Sequence, residues 1–146
     1  MDRNTKKLIA KLRQEFSFYA NDEDLNTILR KIAAKGVTII AFTITKVNRG
    51  RINFVRLVVG PENSNSPHAN MVLGDVLREA GIRYHQKEVI QLILVTPAPG
   101  ILSSILDALY HHVIVFAAYT GDNSAILDVS DIQTALKFLK KNNVIS

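Results

Sequence analysis

Apolar positions along this chain recur in a fixed register. Leu25, Leu29, Ile32, Val37 and Ile39 are matched by Ile101, Ile105, Ala108, Val113 and Val115, each 76 positions later (101 − 25), with no gap. In both sets a three-to-four spacing runs into a β-branched stretch, which predicts an amphipathic helix followed by a strand. Such an echo points to two copies of one supersecondary unit. A second alignment closes the repeat: residues 77–82 lie over 139–144, 62 positions apart (139 − 77). The first copy therefore carries a net 14 more residues (76 − 62) in its later part, mostly in its loops.

The elements follow from this pattern. Leu8, Ile9 and Leu12 predict an N-terminal helix over 4–14, and Phe16, Phe18 and Ala20 a short strand. Asn21 followed by Asp22, Glu23 and Asp24 is a helix start, with acids where the helix dipole favours them. Gly36 ends that helix as a C′ residue. Residues 37–47 and 52–59 predict two strands around the hairpin turn at 48–51. A loop at 60–70 and a helix over 71–80 come next. The extended stretch 82–95 predicts two strands, one closing the first unit and one opening the second. The order then repeats: helix 101–110, strand 113–119, turn 120–123, strand 124–129, and a helix capped at Ser130-Asp131 and ending at Lys141. The expected fold is α+β: two ferredoxin-like units, antiparallel sheets with helices packed on one face. The expected boundaries are 1–15 for the N-terminal helix, 16–88 for the first unit and 89–146 for the second. The second unit stops where its last strand would begin.

Composition narrows the function. Of 146 residues, 47% are hydrophobic, enough for a core, and the formal net charge is +5. The positive charges are scattered: Lys6, Lys7, Lys11 and Arg13 near one end, Lys137, Lys140 and Lys141 near the other. Solvated helix faces account for such runs, and no aromatic residue alternates with a basic cluster to stack bases. We therefore expect no specific nucleic-acid binding. The absence of cysteine excludes disulfides, thiolate metal sites and cysteine nucleophiles. The start lacks the apolar core of a signal peptide, and no apolar run approaches the ~20 residues of a membrane span. No membrane association and a cytoplasmic location are expected.

No residue cluster carries chemistry. His111 and His112 are adjacent and project in different directions, while His68 and His85 lie apart, so no metal-ligand spacing arises. Ser103 and Ser104 have no base partner in the sequence. Asp107, Asp122, Asp128 and Asp131 fit caps, turns and surface positions rather than paired acid–base carboxylates. The loop 60–67 lacks the glycine spacing and Lys-Ser/Thr ending of a phosphate cradle. Neither catalysis, a metal nor a cofactor is implied.

One loop does stand out. Thr96, Pro97, Ala98, Pro99, Gly100, Ile101 and Leu102 join an apolar strand to a helix start. Gly100 lets backbone approach a ligand closely, and the first N–H groups of a helix are free to take a carboxylate. The same Pro-Gly pattern also serves as a plain tight turn. The acids at 22–24 would repel a carboxylate, so the first unit's loop is the poorer site. The segment 92–102, with 125–129, Asp131 and 135–139, resembles the ACT domain, a small βαββαβ ligand-binding module; the likeness covers about 89–146, and the first unit shares only the pattern. The resemblance implies a free-standing tandem that binds a small molecule, an amino acid first, at 96–102 and at a seam between paired domains. It implies a non-catalytic regulatory or sensor module. The second reading is a module that binds a partner protein, or less readily nucleic acid, through basic helices or an open sheet edge. A bare edge at 92–95 would favour a homodimer.

Overall fold

The computed structural model describes residues 7–94, 100–121 and 123–146. By its contacts the chain forms two units. One is continuous, Arg13–Glu88; the other comes in two segments, Met1–Leu12 and Val89–Ser146, so the first is an insertion within the second.

The inserted unit is built on β1 (Ile9–Ala20), α1 (Asp22–Ala34), β2 (Ile39–Val47), β3 (Ile52–Val59), α2 (Pro67–Glu79) and the start of β4 (Tyr84–Ile93). Phe16, Phe18 and Ala20 alternate inward on β1 and pair antiparallel with Leu57, Val55 and Asn53 of β3. β2 returns against β3 from Val47↔Ile52, through the turn at 48–51, in which Asn48, Arg49 and Gly50 all take positive φ. Leu25, Ile28 and Ile32 of α1 and Leu73, Val76 and Leu77 of α2 close the core over Phe16, Val55 and Leu57. α2 begins at Pro67, four positions before the expected start at 71, because Ser66 caps it: the Ala69 N–H donates to Ser66 Oγ at 3.1 Å.

The discontinuous unit contains α3 (Ile101–Leu109), β5 (Val115–Gly121), β6 (Ser124–Val129) and α4 (Ile132–Lys141), with the later part of β4. Ile90–Ile93 pairs antiparallel with Leu127–Ser124 of β6. Its core gathers Leu8, Ile90, Leu92, Ile105, Leu109, Leu127, Leu139 and Ile145. Leu8 and Ile145 form a parallel bridge, and the Leu8 N–H donates to the Val144 carbonyl at 2.8 Å. Where this unit's last strand would begin, Ile145 makes a single bridge.

The 76-position register persists in detail. β2 and β5 start 76 apart, at Ile39 and Val115, and each has a register shift just inside its start, at Ile39/Ala41 and Val115/Ala117. The 62-position register persists too. The Ile82 N–H donates to Leu77 O after Gly81 (φ 71°), and the Val144 N–H to Leu139 O after Asn143 (φ 61°), both at 2.9 Å. Glycine and asparagine are the residues that take this left-handed C′ conformation at least cost.

Three expectations are corrected. The strands are hydrogen-bonded in one closed order, β1-β3-β2-β5-β6-β4, so the chain is not two ferredoxin-like units each with its own sheet. The physical reason lies in β1 and β4, which run on past positions 12/13 and 88/89, where the two units meet in sequence. The expected helix over 4–14 is a strand from Ile9: Leu8 is buried, but Ile9 and Leu12 are 49% and 39% exposed, so their helical spacing is coincidental. Strand pairing overrides propensity there. The stretch 82–95 holds one strand over its described length rather than two.

Candidate functional site

Of the site residues read from the sequence, Thr96, Pro97, Ala98 and Pro99 lie outside the described residues; Gly100, Ile101 and Leu102 form the start of α3. The strand leading into this loop is held at its end, where the Leu94 N–H donates to the Asn123 carbonyl at 2.8 Å. Gly100 takes φ 79°, ψ 3°, and among the described residues a Cβ there would meet nothing within 4 Å. Its carbonyl accepts from the Ser104 N–H at 2.9 Å, the first bond of the helix. Ile101 packs half-buried against the core, whereas Leu102 is 56% exposed.

The four described helices differ at their N-termini. Asn21 Oδ1 accepts from the Asp24 N–H at 2.8 Å, Ser66 Oγ caps α2, and Asp131 Oδ1 accepts from the Thr134 N–H at 2.9 Å. Among the described residues α3 has no side-chain cap. Its leading N–H groups have no intrahelical acceptor and sit at the positive end of the helix dipole. The start of α1 is the opposite case. Asp22 accepts from Lys46 Nζ and, at 2.8 Å, from Asn53 Nδ2, which also reaches the Ala20 carbonyl. The Lys46 bond, then that of Asn53, holds the Asp22 carboxyl below the usual carboxylate range. That helix end is occupied by the chain's own anion.

The histidines stay dispersed. His112 stacks on Phe138 with ring centroids 3.6 Å apart, while His68 opens α2 and His85 lies on β4. Among the described residues no group of three or more His, Asp or Glu is placed to hold a metal, and no helix is long and apolar enough to cross a membrane.

Sequence reading missed a crevice in the inserted unit. It has a volume of about 430 Å³ between α2 and the helix-facing sides of β1 and β4, and its walls include Gln14, Asn70, Gly74, Arg78, Tyr84 and Gln86. Asn70, Gly74 and Arg78 stand at i, i+4 and i+8, one stripe of α2. A buried asparagine beside Val72, Leu73, Val76 and Leu77 is the only mark the sequence carries of it.

No protein-family model matches the chain, and no curated protein matches it. Solved structures do. Protein BT0572 from Bacteroides thetaiotaomicron superposes with a TM-score of 0.69 at 16% identity, covering 90% of this chain and 89% of that one. The ligand-free regulatory subunit of aspartate kinase from Thermus thermophilus gives 0.60 at 11% identity, covering 92% and 98%. E. coli aspartokinase III in complex with aspartate and ADP gives 0.56 at 14% identity, over 92% of this chain and 32% of that one. At these identities the likeness is one of fold: the chain has an ACT-like fold.

Proposed function

We propose that this chain is a non-catalytic regulatory or sensor module of the cytoplasm, and that it binds a small molecule, first an amino acid, at the 96–102 loop. The observation that carries this reading is the N-terminus of α3 behind Gly100, uncapped among the described residues, where the other three described helices are capped by their own side chains. A carboxylate is the natural complement of such an end. The regulatory subunit of aspartate kinase, of similar fold over nearly its whole length, supports the same role.

The module pairs as a homodimer in this reading. The sheet-edge argument for pairing does not stand, because the strand order is closed and leaves no edge strand. What supports it instead is exposed apolar surface: Phe42 (58%) and Ile44 (44%) lie two positions apart on β2 and so on one face.

A thermal-shift screen of the amino acids tests the proposal. A ligand that binds only the native state raises its melting temperature by mass action. Gly100→Val should abolish the shift, since valine at φ 79° is strained. Leu102→Glu should abolish it as well while keeping the fold, because an acid in the first turn suits the helix dipole but opposes a carboxylate. A stabilising amino acid that both variants still bind would place the site elsewhere.

A further inference from the structure

A second pocket of the inserted unit lies where β1 runs out and β4 begins. Its volume is about 580 Å³, and its walls come from 17–19 of β1, Phe54 of β3, Arg78 of α2 and the segment 82–85. Aromatic surface dominates it. Tyr19 is 60% exposed and lies tilted against Phe54, with ring centroids 4.9 Å apart. Tyr84 packs on Phe16 with centroids 5.5 Å apart, and its Oη accepts from Arg78 Nη1 at 2.5 Å. Rings held by such contacts lose little further freedom when a ligand settles on them.

The charge around this surface has one sign. Arg78, Arg83 and His85 line the pocket, and no Asp or Glu does. Arg78 is committed to Tyr84 and to Asp75. Arg83 is exposed and has no hydrogen bond or ion pair among the described residues, so its whole fork of donors is available. The backbone fixes where that fork starts. The Gly81 N–H donates to Arg78 O at 3.0 Å and the Ile82 N–H to Leu77 O at 2.9 Å, which closes α2 immediately before Ile82 and Arg83. The same two bonds satisfy carbonyls at the negative end of α2, which would otherwise oppose an anion.

We propose that this pocket binds a planar aromatic ring that bears an anionic group. The ring lies against Tyr19, Phe54 and Tyr84, and the anion meets the Arg83 guanidinium beside His85. An uncharged ring would leave that guanidinium unanswered, and a small inorganic anion would leave the aromatic wall facing water. Carboxylate and phosphate both match an arginine fork, so aromatic acids and nucleoside monophosphates share the required chemistry. A volume of about 580 Å³ suits a ligand of either kind. The pocket belongs to the inserted unit and involves none of residues 96–102, so it stands independently of the reading at α3.

2-Naphthoate is the direct probe. 2-Naphthamide keeps the ring without the charge, and cyclohexanecarboxylate keeps the charge without an aromatic plane. In a proton–nitrogen NMR titration of the full chain, 2-naphthoate should shift the backbone N–H signals of Tyr19, Arg83, Tyr84 and His85 to saturation. The two controls should each bind about tenfold more weakly, the loss expected for one missing interaction. Arg83→Leu should bring 2-naphthoate down to the affinity of 2-naphthamide, and Tyr19→Leu should weaken it as well. Both side chains are exposed, so both variants keep the fold. Adenosine 5′-monophosphate separates the two sources of the anion. Tighter binding than 2-naphthoate assigns a phosphate and weaker binding a carboxylate, and either result upholds the ring-and-anion chemistry. No saturable shift at these residues with either anion would overturn the proposal, as would 2-naphthamide binding equally well or Arg83→Leu binding undiminished. Equal shifts at Lys137, Lys140 and Lys141 would overturn it too, since they would show only a general attraction of anions to the positive chain. The backbone amides of Ile101 and Leu102 report on the α3 site separately in the same spectra.

Discussion

Asp22 concentrates the residue-scale electrostatics of the inserted unit. Lys46 and Asn53 both donate to its carboxylate and hold its folded pKa below the ordinary value. In the unfolded chain such a group titrates near pH ~3.9. Its contribution to stability is therefore present above about pH 4 and is lost as pH falls through the lower folded value. The group is exposed, so the effect is small and salt-screened. Asp22→Asn should be less stable than the parent near neutral pH, and the gap should shrink on acidification below about pH 4. Urea unfolding at the two pH values reads this; a gap independent of pH would contradict it. Much at this scale was legible. The run Asn21–Asp24 announces a self-capped helix in the sequence, and the cap is found. The partner Lys46 lies 24 positions away, and no local pattern marks it.

At the scale of elements, β1 is the instructive failure. Leu8, Ile9 and Leu12 have helical spacing, yet Leu8 is buried in the core with Ile145 while Leu12 stands 39% exposed on a strand. Leu8→Ala should cost about 2–3 kcal/mol, as a buried large-to-small change does, and Leu12→Ala less than about 0.5 kcal/mol. A helical stripe would make the two losses comparable, so denaturant unfolding of both variants decides between them. The repeated elements were legible for a physical reason. Apolar spacing in α1 and α3 is dictated by local burial, and the register shifts and C′ closures recur at the same offsets. Strand length was not legible. Nothing local marks that β4 runs on through Glu88 and Val89 as one strand.

For the whole molecule, the closed strand order replaces the two separate sheets that the alternation of elements predicts. Pairing between strands distant in sequence sets that order, and periodicity carries no information on it. The proposed pairing rests on the exposed Phe42 and Ile44. Sedimentation equilibrium at micromolar concentration should give about twice the 16.2 kDa chain mass. A mass of one chain up to high concentration would remove the dimer from the account. The candidate sites differ in legibility for a related reason. Gly100 before an apolar helix is visible in the sequence because a strand-to-helix turn is local. The crevice is not, because Gln14, Asn70 and Gln86 are brought together from three elements.

In the proposed function α3 presents its N-terminus to a small carboxylate ligand. Backbone amide NMR of the full chain, titrated with the amino acid that raises its melting temperature most, tests this directly. The account predicts that the N–H signals of Ile101, Leu102 and Ser103 shift together to saturation, while those of Asp22, Glu23 and Asp24 at the self-capped start of α1 stay in place. Saturable binding that leaves the α3 signals unmoved would contradict it.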